Sequence, residues 1–346
     1  MKYNFLGKTD IKVSEICLGT MTFGRQNSEA DGHAQLDMAL DRGVNFIDTA
    51  EMYPVPCDPE LYGRTEEFIG TWLAKAGNRE RVVLASKVSG PRMVPDIRDD
   101  EVRLDRRNIE AAIDASLKRL QTDHIDLYQV HWPDRPVNNF GMLGFEELKD
   151  DPDTVAIEET LDVLTDLVNA GKVRHIGVSN ETSWGVMRYL EQARHKGMAR
   201  IETIQNPYSL LNRSFEVGLA EVSLREEVSL LPYSPLGFGT LSGKYLQGAK
   251  PDNSRITLFP AFGRYVKPEG VKATEKYVAL ARAHDLLPVH LALAYVRSRP
   301  FVASTIIGAT TLDQLAENLD SVNVTLDDAL IKEIEAIHHE HTYPCP

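Results

Sequence analysis

The stretch NFIDTAEMY, residues 45–53, combines a short apolar run with an acid and a tyrosine. Phe46 and Ile47 indicate a buried strand, Asp48 follows them directly, and Tyr53 lies five residues further on. Seven other β-rich runs recur along the chain, at 15–18, 82–85, 125–130, 175–178, 203–205, 229–233 and 304–307. The sequence therefore predicts eight short strands, and several of them end in a polar or charged residue.

Amphipathic helix patterns separate the predicted strands. The clearest helix pattern covers residues 107–120, where apolar side chains recur at three- and four-residue intervals. A second helix pattern, at 156–170, is followed by Gly171, a residue type that commonly ends helices. Further helices are predicted at 30–42, 65–76, 183–197, 214–226, 272–284 and 312–320, with extra helices at 288–299 and 326–339. Strands that alternate with helices pair in parallel through right-handed crossovers. The sequence therefore predicts an α/β fold with a single domain, residues 1–346. Its simplest architecture is a closed (β/α)8 or TIM barrel, and the alternative is a doubly wound open sheet.

Long irregular stretches follow predicted strands 3, 4 and 7, at 88–104, 133–153 and 236–270. In a barrel, the loops that follow the strands build the active face. Insertions at these places are therefore expected to carry function rather than to divide the chain into domains.

Composition excludes several classes of protein. The net charge of −13 argues against a nucleic-acid partner or an anionic membrane surface. No apolar run approaches the roughly 20 residues that a membrane helix needs, and the N-terminus lacks a signal-peptide pattern. The three cysteines, Cys17, Cys57 and Cys345, lie far apart and are odd in number, which argues against a disulfide framework. We therefore expect a cytoplasmic protein with no membrane or nucleic-acid partner, and its oligomeric state stays open.

Polar side chains collect at the ends of the predicted strands. Strands 2, 3 and 4 end near Asp48, Lys87 and His131, and later strands end near Ser179, Asn180, Gln205, Tyr233 and Thr310. In a barrel all of these residues meet at one rim. A lysine ammonium lowers the pKa of a nearby tyrosine from its reference value near 10, an aspartate can hold that lysine, and a histidine can orient a carbonyl oxygen. This set predicts a site that donates a proton and stabilises an oxyanion, without a metal.

Seven segments, in this order along the chain, resemble the aldo-keto reductases. They are DTAEMY (48–53), ASK ending at Lys87, DLYQVHWP (126–133), HIGVSN (175–180), QNPYSLLNR (205–213), YSPLGFGTLSGKY (233–245) and IIGATTLDQLAEN (306–318). The match runs from about Val13 to Asn318, with the strongest likeness to the potassium-channel β-subunit-like branch and the bacterial Tas-type proteins. An ordered set of this kind is far more specific than any single motif.

The resemblance implies a TIM barrel that uses NADPH to reduce an aldehyde or ketone, a small carbonyl substrate. It assigns catalysis to Asp48, Tyr53, Lys87 and His131, with Tyr53 as the general acid. Trp132, next to His131, is either a core residue or a wall of the substrate site, and its place on the rim favours the wall. The resemblance also implies a set of cofactor-binding residues. Ser179, Asn180 and Gln205 would bind the nicotinamide amide, Tyr233 would stack on the ring, Ser234, Pro235, Leu236, Gly237, Gly308, Thr310, Gln314 and Asn318 would hold the pyrophosphate and adenosine, and Lys244 and Arg255 would contact the 2′-phosphate.

The sequence departs from the family pattern at the catalytic tyrosine. That tyrosine is normally followed at once by Gly and a Ser/Thr-Glu pair, but Tyr53 is followed by Pro54-Val55-Pro56-Cys57, and Tyr62 precedes the Gly-Arg-Thr-Glu segment. Distance from the strand end favours Tyr53, whereas the following residues favour Tyr62. We favour Tyr53, because a fixed step from Asp48 sets the reach of the side chain, and the Pro-rich insertion then becomes a loop on the substrate side.

Two other functions are compatible with parts of this pattern. A cofactor-binding regulatory or assembly subunit, as in the channel β-subunit branch, would bind NADPH with little turnover. A Schiff-base lyase would use Lys87 as an amine nucleophile, but it would leave the cofactor motifs without a role.

Overall fold

The computed structural model describes residues 1–75, 77–98, 102–138, 140–147 and 152–346. These residues form ten strands: β1 (Tyr3–Phe5), β2 (Lys12–Ser14), β3 (Ile16–Gly19), β4 (Phe46–Asp48), β5 (Val83–Val88), β6 (Ile125–Val130), β7 (Val173–Ser179), β8 (Ile201–Gln205), β9 (Ser229–Leu230) and β10 (Thr305–Ile307). Strands β3 to β10 make one parallel sheet in the order β10-β3-β4-β5-β6-β7-β8-β9. Leu230 forms a parallel bridge with Val302, and backbone hydrogen bonds of 2.8 and 3.0 Å join it to Phe301 and Ala303, so the two edges of the sheet meet. The predicted (β/α)8 barrel is confirmed.

The helices surround this sheet. They are α1 (Glu29–Asp41), α2 (Arg64–Leu73), α3 (Arg106–Leu120), α4 (Ile157–Asn169), α5 (Ser183–Lys196), α6 (Leu219–Glu226), α7 (Arg255–Leu258), α8 (Pro268–Ala283), α9 (Pro288–Arg297), α10 (Leu312–Asp320) and α11 (Asp328–Glu340). Side chains of Ser28, Asp105 and Thr182 accept backbone hydrogen bonds and so fix the starts of α1, α3 and α5. None of the described helices is long and apolar enough to cross a bilayer.

Several local predictions differ from the structure, among them the strand predicted at 229–233, which ends at Leu230. The helix expected at 214–226 begins only at Leu219, because Gly218 leaves helical geometry (φ −148°, ψ −40°) and Ser214–Val217 form a 3-10 turn. The predicted helix 65–76 ends at Leu73, and residue 76 lies outside the described residues. Residues 99–101, 139 and 148–151, within two of the predicted loops, also lie outside them.

The N-terminal hairpin was not predicted from the sequence. Strands β1 and β2 pair antiparallel with only three residues each, and the side chains of β1 are exposed, so no periodic apolar pattern marks them. Leu6 and Val13, in and beside this hairpin, are fully buried and pack into the same apolar cluster as Phe46 and Leu127. The hairpin therefore contributes side chains to the interior of the barrel.

The barrel interior changes character along the strands. An apolar layer contains Cys17, Phe46, Ala85 and Leu127. Side chains in a strand alternate between its two faces, so the next inward position on each strand lies two residues further along. On β4, β5 and β6 those positions hold the polar residues Asp48, Lys87 and Gln129. The apolar layer thus supports a polar layer at the carboxyl ends of the strands, which is where a barrel builds its site.

Candidate active site

Asp48 and Lys87 form a buried ion pair at the end of β4 and β5. The ammonium Nζ lies 2.6 Å from Asp48 Oδ2 and 2.7 Å from the carbonyl oxygen of Thr49, and the Lys87 side chain is completely buried. Burial opposes the charged form of Lys87, but Asp48 and Tyr53 together outweigh that effect, and the pKa of Lys87 is raised. Lys87 therefore stays an ammonium ion at neutral pH.

The Tyr53 hydroxyl lies beside this ammonium. Its oxygen is 3.5 Å from Lys87 Nζ, and the tyrosine side chain is buried. The sequence-based expectation of a lowered tyrosine pKa is not met in the isolated chain, because burial raises the pKa of Tyr53 and Lys87 offsets only part of that rise. Tyr53 is consequently a protonated phenol at neutral pH and is able to donate a proton.

His131 follows β6 and faces Tyr53. The two ring centroids are 5.8 Å apart in an edge-to-face arrangement. Burial and the Lys87 ammonium hold the pKa of His131 well below its usual value, so the imidazole is neutral. Trp132 is almost fully buried, donates from Nε1 to the Pro91 carbonyl (2.8 Å), and packs its ring 4.8 Å from that of His131.

Two amides complete the surroundings of Asp48. Gln205 Nε2 donates to Asp48 Oδ1 at 2.8 Å, and Gln129 Nε2 approaches the same oxygen at 3.3 Å. The sequence reading missed Gln129, although its position two residues before His131 places it on the inward face of the same strand. Gln205, which the resemblance assigns to the cofactor amide, therefore also holds the Asp48 carboxylate.

Asn180 connects His131 with Tyr233. Its Nδ2 donates to the His131 carbonyl (2.9 Å), and its Oδ1 accepts from the Tyr233 hydroxyl (2.8 Å). Asn180 adopts a left-handed backbone conformation (φ +52°), which asparagine tolerates better than most residues. The neighbouring Ser179 hydroxyl donates to the Gln205 carbonyl at 2.7 Å. The structure thus brings Ser179, Asn180, Gln205 and Tyr233 together beside His131.

Two of the cations on the loop that follows β9, Lys244 and Arg255, have no acidic partner among the described residues. Within the described part of the chain, neither Lys244 nor Arg255 forms an ion pair or a side-chain hydrogen bond. Lys244 Nζ lies 5.3 Å from the centre of the Tyr245 ring, and the Arg255 guanidinium lies 5.2 Å from the centre of the Phe238 ring. Burial lowers the pKa of Arg255 from its usual value. Two cations on aromatic rings, without carboxylates, suit an anionic ligand.

Turns at the ends of β9 and β10 hold the other predicted cofactor residues. The Gly237 amide donates to the Ser234 carbonyl at 2.9 Å, which closes a tight turn over Pro235 and Leu236. After β10, Gln314 Oε1 accepts from both the amide and the hydroxyl of Thr310 at 3.1 Å. Asn318 Nδ2 donates to the Gly308 carbonyl at 3.3 Å, and a Cβ added to Gly308 would meet nothing. This end of the barrel therefore offers open space beside polar groups.

Tyr62 does not belong to this hydrogen-bond network. Its hydroxyl oxygen is buried and has no hydrogen-bond partner among the described residues, and burial raises its pKa to about 12. Tyr62 packs at the edge of an apolar cluster that contains Met52, Tyr53 and Trp132. Within the described part of the chain, its hydroxyl forms no hydrogen bond to Lys87 or Asp48.

Comparison with known proteins gives consistent matches over the whole chain. The model described as "Aldo/keto reductase family" matches residues 15–339. The chain is 58% identical to "Protein tas" of Escherichia coli (strain K12), over 100% of both chains. It is 32% identical to "Uncharacterized oxidoreductase YrpG" of Bacillus subtilis (strain 168), over 97% of this chain and 96% of that protein. It is 30% identical to "Aldo-keto reductase YhdN" of the same bacterium, over 97% and 93%.

Proposed function

Because the chain belongs to the aldo/keto reductase family of oxidoreductases, we propose that it is an NADPH-dependent reductase that converts a small aldehyde or ketone into an alcohol. The strongest support is the position of the Tyr53 hydroxyl beside a fixed lysine ammonium. The Tyr53 hydroxyl lies 3.5 Å from Lys87 Nζ, which is itself bonded to Asp48 at 2.6 Å. A protonated phenol beside a fixed ammonium is a proton donor whose developing negative charge is stabilised in place.

Each catalytic residue has a separate task in this proposal. Tyr53 protonates the substrate oxygen, and Lys87 stabilises the phenolate that results. Asp48 keeps Lys87 charged and fixed, and Gln129 and Gln205 hold Asp48 through its second oxygen. His131 is neutral, so it orients the carbonyl oxygen by a hydrogen bond and does not compete as a proton donor.

The cofactor residues fit a phosphorylated dinucleotide. NADPH, when bound, supplies the hydride. Lys244 and Arg255 are unpaired cations among the described residues and would hold its 2′-phosphate, which favours NADPH over NADH. Ser179, Asn180, Gln205 and Tyr233 would orient the nicotinamide. The turn from Ser234 to Gly237, with Gly308, Thr310, Gln314 and Asn318, would hold the pyrophosphate and adenosine.

The geometry favours Tyr53 over Tyr62 as the acid, because only Tyr53 has Lys87 within reach. It also disfavours a Schiff-base lyase, since that reaction needs Lys87 as a neutral amine and the pKa of Lys87 is raised. Substrate selection is assigned to Trp132 and to the loops at 54–62, 88–104 and 133–153. We place the enzyme in the cytoplasm, in keeping with its three free cysteines.

The test is NADPH oxidation with aromatic and small aliphatic aldehydes by wild type, Tyr53→Phe and Tyr62→Phe. We expect Tyr53→Phe to lose about 10²- to 10⁴-fold in kcat, the usual worth of a general acid, with cofactor binding intact. Tyr62→Phe should keep kcat within about twofold, since its hydroxyl has no partner to lose. An inactive Tyr62→Phe with an active Tyr53→Phe would reverse the assignment. A wild type that binds NADPH without turnover on the whole panel would support the regulatory function instead.

A further inference from the structure

Glu51 is a buried acid between two of the proposed catalytic residues. It lies two residues before Tyr53, and its side chain is 3% exposed. Its backbone N–H donates to the Lys87 carbonyl at 3.3 Å, and its Oε1 accepts from the Ser89 amide at 2.7 Å. Glu51 thus contacts the backbone at Lys87 and at Ser89, which directly follows β5. It joins the segment that carries Tyr53 to the segment that carries the ammonium.

The second carboxylate oxygen of Glu51 reaches a different loop. Oε2 lies 2.5 Å from Nη1 of Arg98, and Arg98 Nε donates to Asn108 Oδ1 at 3.0 Å. Asn108 lies in the first turn of α3, and its amide donates to Asp105, the residue that caps this helix. Arg98 therefore ties the described part of the loop after β5 to Glu51 on one side and to the start of α3 on the other.

We propose that Glu51 is a positioning residue that sets the separation of Tyr53 and Lys87 and couples it, through Arg98, to the described part of the loop after β5. This inference rests on the proposed reductase function. The contact needs a carboxylate, because both oxygens accept hydrogen bonds from N–H donors. A glutamine has one acceptor oxygen and one NH₂ group, so at this position its NH₂ group faces the N–H donor of either Ser89 or Arg98 and cannot accept a hydrogen bond from it. The side chain at position 51 then no longer joins both of these residues.

The chain offers a matched control in Glu66. It is also a completely buried carboxylate, and it also has one partner on β5 and one arginine: the Ser86 hydroxyl at 2.5 Å and Arg119 Nε at 2.7 Å. Glu66 lies on α2, and within the described part of the chain its hydrogen-bond partners do not include the Tyr53 segment. Glu66→Gln should therefore reproduce the loss of a buried charge and the resulting loss of stability without moving Tyr53.

Kinetics of Glu51→Gln and Glu66→Gln, below the melting temperature of each variant, separate positioning from stability. We expect Glu51→Gln to lower kcat by about tenfold to a hundredfold, since a shift of about 1 Å at a reacting group can cost about 10²-fold. The Kd of NADPH, measured by its fluorescence, should stay within about twofold, because among the described residues the hydrogen-bond partners of Glu51 are Lys87, Ser89 and Arg98 and include none of the proposed cofactor residues. Glu66→Gln should keep kcat within about twofold. Equal losses of kcat in the two variants, or an unchanged kcat in Glu51→Gln, overturn the proposal.

Hydrogen exchange on the cofactor-free chain provides a readout that does not depend on turnover. Glu51→Gln should raise amide exchange in peptides that cover 49–53 and 89–98, whereas Glu66→Gln should raise it in peptides that cover 64–73. If wild type lacks reductase activity, the proposed reductase function is wrong, and this exchange pattern still decides whether Glu51 links the two segments.

If Glu51→Gln folds poorly, the double variant Glu51→Gln/Arg98→Gln removes the unpaired guanidinium. The double variant should recover stability and keep the low kcat. Recovery of kcat in the double variant contradicts the positioning role.

Discussion

The two sides of the barrel mouth treat their charges in opposite ways. Around β4 and β5, Lys87 is bonded to Asp48, and Arg98 is bonded to Glu51, all with little exposure. On the loop after β9, Lys244 and Arg255 rest on aromatic rings with no acid beside them in the described chain. A compensated charge can be buried permanently, whereas an uncompensated one favours binding an anion. The charges around β4 and β5 are therefore neutralised within the free chain, whereas the two cations on the loop after β9 suit an anionic ligand.

The largest effect is expected where a compensated pair is broken. Lys87→Met leaves the Asp48 carboxylate buried and unpaired, which should lower the free energy of unfolding by about 3–5 kcal/mol. Activity should fall below detection, because Tyr53 also loses the ammonium beside it. Urea unfolding followed by circular dichroism measures the first effect and NADPH oxidation the second.

The double variant Asp48→Asn/Lys87→Met sharpens this result. It removes both charges, so most of the lost stability should return, as for other buried pairs replaced by neutral residues. Activity should stay absent. A double variant no more stable than Lys87→Met would show that packing, rather than the unpaired carboxylate, causes the loss.

On the loop side, removal of a charge should change ligand affinity rather than stability. Arg255→Met and Lys244→Met should each raise the Kd of NADPH by about tenfold to a hundredfold, the worth of a charge-assisted hydrogen bond of about 1.5–3 kcal/mol. The Kd of NADH should not change, since NADH lacks the 2′-phosphate. Lys250→Met, an exposed cation on the same loop, is the control and should bind NADPH like wild type. Equal weakening of NADPH and NADH binding would contradict the assignment to the 2′-phosphate.

The barrel was readable from the sequence because its strands and helices are set by local patterns. The run at Phe46–Asp48 and the helix pattern at 107–120 match β4 and α3 within one residue. The family resemblance inferred from the ordered motifs is confirmed by matches over the full chain. The hairpin of β1 and β2 was not readable, since three exposed residues carry no periodicity and only the barrel gives Leu6 and Val13 a place to be buried.

Several groups around the candidate site depend on contacts between distant segments, which no local pattern announces. Glu51 looks like a surface acid in the sequence, and only the loop after β5 supplies the Arg98 that allows it to be buried. The direction of the Tyr53 pKa is a second case. The sequence reveals the lysine that lowers the pKa of Tyr53, but it does not reveal how deeply the tyrosine is buried. Burial raises this pKa by more than the lysine lowers it. The burial of Glu51 and the direction of the Tyr53 pKa shift therefore became clear only from the three-dimensional structure.

The smallest expected effect concerns the neutral state of His131 on the compensated side. Burial and Lys87 keep its pKa well below the usual value, so the unfolded chain gains a proton near pH 6.5 that the folded chain does not take up. Since the unfolded state then binds more protons, the free energy of unfolding should fall as the pH drops below about 6.5, by at most about 1.4 kcal/mol per pH unit from this residue. His131→Asn should remove that share, and His195→Asn, on the exposed face of α5, should not. Urea unfolding between about pH 5 and pH 7 measures how the free energy of unfolding changes with pH. If this pH dependence is identical in wild type and His131→Asn, the imidazole of the folded chain accepts the proton. A second cation would then be tolerated beside Lys87.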